Sequence, residues 1–203
     1  HIASRKGFHR VAKALLAAGA DKDAAMTDKR TPLYVASSEG HHQVVKVLLA
    51  AGVDKNAANK YDETPLYVAS QNGYHPVVEL LLEAGADKDA APKNTGTPLY
   101  VASTKAHQKV VEMLLAAGAD KDAATKDAKT PLYGASKNNH HQVVEVLLAG
   151  SADQESSDKD GWTPLHIASA TGHHLVVEIL LAANANKDAT NSSGETPLFI
   201  SSQ

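Results

Sequence analysis

Thr31-Pro32-Leu33-Tyr34-Val35-Ala36-Ser37-Ser38-Glu39-Gly40-His41-His42-Gln43-Val44-Val45-Lys46-Val47-Leu48-Leu49-Ala50-Ala51-Gly52 decides the fold. Thr31 is a good helix N-cap, because its hydroxyl can accept a hydrogen bond from the free N–H groups of the first turn. Pro32 follows at the first helical position, where its missing N–H costs nothing. Leu33, Ala36 and Ser37 then recur at helical spacing, which predicts a short first helix with a small-residue face. Gly40 stops that helix by taking the left-handed conformation. The stretch His41 to Ala51 predicts a second helix with Val44, Val45, Val47, Leu48 and Leu49 on its apolar side, ended by Gly52. From Val53 to Glu63 the chain is polar and without helical period, so it must cross to whatever comes next.

What comes next is the same unit again. Thr-Pro-Leu starts at Thr31, Thr64, Thr97, Thr130, Thr163 and Thr196, each 33 residues after the last and with no insertion between them. Chance does not hold six units in register. Helices of about three turns or fewer are marginal in water when isolated, so each pair has to bury its apolar sides against its neighbours. The expected fold class is therefore all-α, a solenoid of stacked helix-turn-helix units. It forms a single array over 1–203, with a partial repeat at 1–30, full repeats from Thr31, Thr64, Thr97, Thr130 and Thr163, and a partial repeat at 196–203.

Units of this length carrying T-P-L-x-x-A resemble the ankyrin-repeat family, and the resemblance covers essentially the whole chain. It implies an L-shaped unit of two antiparallel helices with a β-turn or finger loop projecting sideways. Such units stack into a curved solenoid with a concave groove. It also implies a protein–protein interaction module that binds through the groove and the finger tips. The family's histidine after Thr-Pro-Leu stands at His1 and His166. Tyr34, Tyr67, Tyr100 and Tyr133 replace it, as does Phe199, and the tyrosine hydroxyls are expected at the core edge or in water. Lys22, Lys55, Lys88, Lys121 and Lys187, with Gln154 as the exception, are expected along an exposed edge with their stems packed down. Ala106 and Asn139 occupy the glycine cap position, and Ala106 is expected either to be strained there or to force a different helix ending. In Leu148-Ala149-Gly150-Ser151 the glycine is shifted by one residue, which predicts a local irregularity. Both ends fall inside a repeat, as expected of a natural fragment of a longer array. Leu198, Phe199 and Ile200 are expected to leave apolar surface uncovered, so self-association through the ends is a further expectation.

Composition excludes several other classes. The chain is 43% hydrophobic and 21% charged, as in folded rather than disordered proteins. Aromatic residues make up only 4%, and a core of Ala, Val and Leu suits closely stacked helices. Net charge is −3, so no global basic field favours nucleic acid. No apolar run approaches the roughly 18 residues of a membrane helix. Neither nucleic acid nor membrane is an expected partner. Cysteine is absent, which removes disulfides, thiolate zinc sites and thiol nucleophiles but leaves the compartment open, with the cytoplasm favoured. Asn191-Ser192-Ser193 is a sequon expected to carry no glycan.

The residue types that could carry chemistry all recur in phase. His41-His42, His140-His141 and His173-His174 suggest a metal ladder. Packed helices, however, sit about 8–10 Å apart, too far for equivalent histidines to share a zinc ion at about 2.0–2.1 Å. Asp21 and Asp23, Asp87 and Asp89, and Asp120 and Asp122 repeat on successive units, and no pair is more special than another. Ser37, Ser70, Ser103, Ser136 and Ser169 have no unique base partner. An active site is asymmetric by nature, so no enzyme, no catalytic residue, no metal and no cofactor is expected.

A partner would meet the positions the frame leaves free, at the finger tips and at the ends of the first helices. The candidates are Arg5, Lys6, Arg30, Tyr61, Glu63, Gln71, Asn72, Lys105, Lys129, Lys137 and Trp162. Tyr61 and Trp162, the only tryptophan, either serve as interface anchors or pack on their own loops and stiffen the fingers. The cations tilt this side basic, which favours another protein with an acidic or mixed surface. The competing expectations are a structural spacer within a longer solenoid, and an engineered scaffold without native ligand.

Overall fold

In the computed structural model, residues 1–202 are described. Thirteen helices and no strand run through them. The first helices of the units are α1 (Ile2–Lys6), α3 (Pro32–Ser38), α5 (Pro65–Gln71), α7 (Pro98–Thr104), α9 (Pro131–Lys137), α11 (Pro164–Ala170) and α13 (Pro197–Ser201). The second helices are α2 (His9–Ala17), α4 (His42–Ala50), α6 (His75–Glu83), α8 (Gln108–Ala116), α10 (His141–Ala149) and α12 (His174–Ala182). Each first helix from α3 to α11 packs on its own second helix and on the first helices before and after it, and α1 and α13 pack on α3 and α11. The second helices likewise pack on one another, giving two layers.

The start of each first helix is written into Thr-Pro-Leu. Thr31 Oγ1 accepts from the Tyr34 N–H at 3.2 Å, and Thr64, Thr97 and Thr130 do the same for Tyr67, Tyr100 and Tyr133. Leu33, Leu66, Leu99 and Leu132 are wholly withdrawn from water, as are Val45, Val78, Val111 and Val144 from the second helices. Burying one such side chain contributes about 1.5–3 kcal/mol, and it does so only because a neighbouring unit covers it.

The helix ends meet three of the sequence expectations. Gly40 and Gly52 are left-handed. Ala106 is forced into the same region at φ 60°, as its place in the unit requires, and so is Asn139. The irregularity expected around Gly150 does not develop. Ser151 takes the left-handed conformation at φ 61° in place of a glycine, and α10 keeps nine residues like its equivalents. A serine thus absorbs the shift locally.

The edge residues do more than lie on the surface. Lys22 reaches the next unit, where its Nζ donates to the carbonyls of Ala51 and Gly52 at the C-terminus of α4. A cation there meets unpaired carbonyls and the negative end of the helix dipole. Gln154 serves the same end of α12 with an amide, donating to the Ala183 carbonyl at 2.8 Å. The repeated carboxylates are engaged as well. Asp23 Oδ1 accepts from the Asp54 N–H at 3.0 Å, Asp89 from Asp120 at 2.9 Å and Asp122 from Asp153 at 2.8 Å. Asn56 and Glu155 fill the intervening junctions.

Candidate interaction surface

At the C-terminal ends of five first helices, α1, α3, α5, α7 and α9, a carbonyl is claimed by the following unit. His41 Nε2 lies 2.9 Å from the Arg5 carbonyl oxygen, His107 Nε2 3.0 Å from that of Gln71, His140 Nε2 3.1 Å from that of Thr104, and His173 Nε2 3.1 Å from that of Lys137. These contacts account for the histidine that opens each second helix. Tyr74 stands where this series calls for a histidine, and there Asn72 Nδ2 donates to the Ser38 carbonyl at 3.2 Å instead. Among the described residues, no three His, Asp or Glu side chains are grouped to hold a metal ion.

The finger loops turn within five residues: 26–30, 59–63, 92–96, 125–129, 158–162 and 191–195. Five of these six fingers close through one main-chain bond, from the first N–H to the last carbonyl. They are Met26 to Arg30, Asn59 to Glu63, Thr125 to Lys129, Asp158 to Trp162 and Asn191 to Glu195, each at 3.0 Å. Asn59 and Asn191 also fold their side chains into the turn. Asn191 Oδ1 accepts from the Ser193 and Glu195 N–H groups while its Nδ2 donates to the Glu195 carboxylate. The sequon asparagine is thus buried and engaged at both ends of its amide.

The tyrosines couple fingers to helices. Tyr34 Oη donates to Glu63 Oε2 at 2.9 Å and accepts from Asn59 Nδ2 at 3.0 Å. The expectation of a wet or core-edge hydroxyl is therefore corrected at this position, because the next finger supplies both a donor and an acceptor. Burial, then the hydrogen bond and charge of Glu63, hold the Tyr34 phenol well above its ordinary pKa. Burial and the Asp158 carboxylate do the same for Tyr133. At the equivalent place His166 Nε2 meets the Glu195 carbonyl at 3.1 Å.

The candidate residues fall into two groups. Arg30 is tied to Asp28 through its Nε at 2.6 Å. Glu63 is held by Tyr34 and Asn59, and Asn72 spends its side chain on Ser38. Trp162 is half-buried, its ring centroid 6.2 Å from that of His166, and its main-chain N–H donates to Asp158 Oδ1 at 2.9 Å. Lys129 holds its Nζ 5.9 Å from the centre of the Tyr133 ring. Gln71 is partly buried and is engaged through its main-chain carbonyl. The second group faces solvent. Arg5, Lys6, Lys105 and Lys137 are exposed at the C-terminal ends of α1, α7 and α9. Tyr61 is 63% exposed, with Lys60 Nζ 4.8 Å from its ring centre. Periodicity alone does not separate these groups: Glu63, Gln71 and Asn72 meet partners in a neighbouring unit, and Arg30, Lys129 and Trp162 meet partners within four residues. A hollow of about 620 Å³ also opens beside α13, lined by Leu165, Val177, Leu181 and Leu198 among others.

A uniform two-layer frame that presents varied side chains along one edge defines a solenoid repeat protein. A family model described as ankyrin repeats in three copies matches residues 1–92 and 132–203, and one described as the ankyrin repeat matches 96–126. The chain belongs to the ankyrin-repeat family. Among solved structures it is similar to the human ASB11 ankyrin repeat domain, with a TM-score of 0.89 and 28% identity over 98% of this chain and 90% of that one. It is also similar to the ankyrin repeat domain of Bcl-3, a member of the IkappaB protein family, with a TM-score of 0.88 and 29% identity over 98% of this chain and 92% of that one. No curated protein sequence matches the chain. Ankyrin-repeat domains generally mediate protein–protein interaction, and their fold is a non-catalytic interaction fold.

Proposed function

We propose that this chain is a non-catalytic module that binds a partner protein of acidic or mixed surface. The binding surface is the groove beside the first helices together with the finger tips. The observation that carries the reading is the row of exposed cations at the first-helix ends, Arg5, Lys6, Lys105 and Lys137. Among the described residues, none of them has a carboxylate within ion-pair distance. Such a row steers an acidic partner into register. The direct test is affinity capture with the chain as bait, beside a variant carrying Lys6→Glu, Lys105→Glu and Lys137→Glu. Saturable capture that the variant loses, more strongly at low salt, supports the reading. No saturable partner at all favours a spacer.

Self-association through the end faces is a second reading. Ile2 and Phe8 at one end are 77% and 54% exposed, and Leu198 and Phe199 at the other are 78% and 53% exposed. Sedimentation across a concentration series tests it, with a monomer at every concentration as the contrary result.

A further inference from the structure

The third finger departs from the other five for a chemical reason. Its first residue is Pro92, which has no N–H, so the bond that closes the other fingers cannot form. The turn instead closes between Thr95 N–H and the Pro92 carbonyl at 3.3 Å. The left-handed residue moves with it. In the other fingers it is the fourth residue (Lys29, Asp62, Ala128, Gly161 and Gly194), whereas here Asn94 in third place takes φ 74° and Gly96 in fifth place φ 89°.

This shift breaks a main-chain ladder that joins the fingers. Where the ladder is intact, the second residue of one finger donates to the third residue of the finger before. Lys60 N–H meets the Asp28 carbonyl at 2.9 Å, Lys159 that of Asp127 at 3.3 Å, and Ser192 that of Asp160 at 2.9 Å. Neither junction of the third finger carries such a bond. Between the second and third fingers, the Tyr61 carbonyl and the Lys93 N–H have no main-chain partner among the described residues. A hollow of about 480 Å³ opens there, lined by Lys60, Tyr61, Asp62, Glu63, Pro92 and Lys93.

The lining carries two lysines and two carboxylates, and beside the exposed Lys60 and Lys93 only Asp62 of the carboxylates is exposed. In the closed junction of the fourth and fifth fingers, Lys159 lies 3.5 Å from the Asp127 carboxylate. Lys60 and Lys93 hold the same place in their turns and, among the described residues, have no carboxylate within 4.0 Å. Glu63 is turned inward to Tyr34 and Asn59, which leaves Asp62 as the one carboxylate of the lining without a hydrogen-bonded partner.

We infer that the gap between the second and third fingers is a docking notch for an extended acidic segment of a partner protein. The segment's main chain takes up the free Tyr61 carbonyl and Lys93 N–H, as an added strand does at a sheet edge. Its carboxylates face the Lys60 and Lys93 ammonium groups, and its apolar atoms lie on the exposed Tyr61 ring. The notch rests on the protein-binding reading and narrows it to one site and one class of partner.

The experiment is a titration of isotope-labelled protein with a hexaglutamate peptide, followed by amide NMR shifts, with hexaglutamine as the control. Saturable shifts are expected at residues 60–63 and 93–95, with at least tenfold weaker binding of hexaglutamine. The P92N/T95G variant supplies the missing N–H and a glycine in fourth place, so it closes the ladder and abolishes those shifts. The K60Q/K93Q variant lowers affinity at least tenfold without touching the fold, and it carries the test if the first variant fails to fold. Shifts that survive both variants overturn the notch. Shifts confined to Lys6, Lys105 and Lys137 overturn the notch while sustaining the wider binding reading. No shift anywhere overturns the notch and also counts against an acidic partner.

Discussion

Asn72 Nδ2 donates to the Ser38 carbonyl at 3.2 Å and so performs, from two residues earlier in the unit, the task His41 performs on Arg5. Tyr74 forfeits that contact and Asn72 restores it, so the junction between the second and third units keeps its bond although its residue types differ.

The Asn72→Ala variant should lower stability by about 1 kcal/mol, the ordinary net worth of one such bond. Adding Tyr74→His in that background should recover most of the loss. Urea unfolding of the two single variants and the double variant measures the coupling, and strictly additive effects would show that the two positions do not share this carbonyl.

Ala106 carries a side chain in a left-handed conformation that its equivalents Gly40 and Gly73 occupy freely. Ala106→Gly should therefore raise stability by about 1 kcal/mol, since relief of the left-handed penalty of about 1–2 kcal/mol outweighs the added chain entropy. Gly40→Ala should do the reverse and more, because its new Cβ would sit 2.9 Å from the Tyr74 ring. Thermal melts of the two variants should move in opposite directions.

The hydroxyls of Ser37, Ser70 and Ser136 are buried without a hydrogen-bond partner, whereas Ser103 Oγ donates to the Leu99 carbonyl at 2.7 Å. Ser70→Ala should stabilise the fold by about 1 kcal/mol, because an unsatisfied buried polar group costs about 1–3 kcal/mol. Ser103→Ala should be neutral or destabilising. Equal shifts from both substitutions in chemical denaturation would contradict the distinction.

The phenols of Tyr34 and Tyr133 have folded-state pKa values raised above the ordinary 10.0. A raised folded pKa means that the neutral form is favoured by folding. The contribution is fully present below pH 10 and is lost as pH rises through the folded value. Tyrosinate absorbance should therefore show a late-ionising component that shrinks in Tyr34→Phe and again in Tyr133→Phe. Alkaline unfolding should begin as that component appears, and a titration unchanged by both substitutions would refute the assignment.

The frame was legible in the sequence because its determinants are local. Thr31 caps three residues on, and the apolar faces of α3 and α4 follow helical period. What escaped notice joins residues about 30 apart. His41 meets Arg5, Lys22 reaches Gly52, and Tyr34 finds Glu63 and Asn59. Periodicity says that such residues recur but not what they touch. For the same reason Glu63 reads as a free tip residue, whereas Arg30 and Trp162 are engaged by near neighbours, Asp28, Asp158 and His166. The altered third finger lay open in the sequence as Pro92. Its meaning depended on knowing that the first residue of every finger is a main-chain donor.

Each helical pair rests chiefly on the pair before and the pair after, so growth of this protein is a matter of copying. A duplicated unit arrives with its own cap, its own clamp to the carbonyl behind it and its own finger, and its neighbours need no redesign. A lineage can lengthen such an array and revise one finger while the rest keeps its shape.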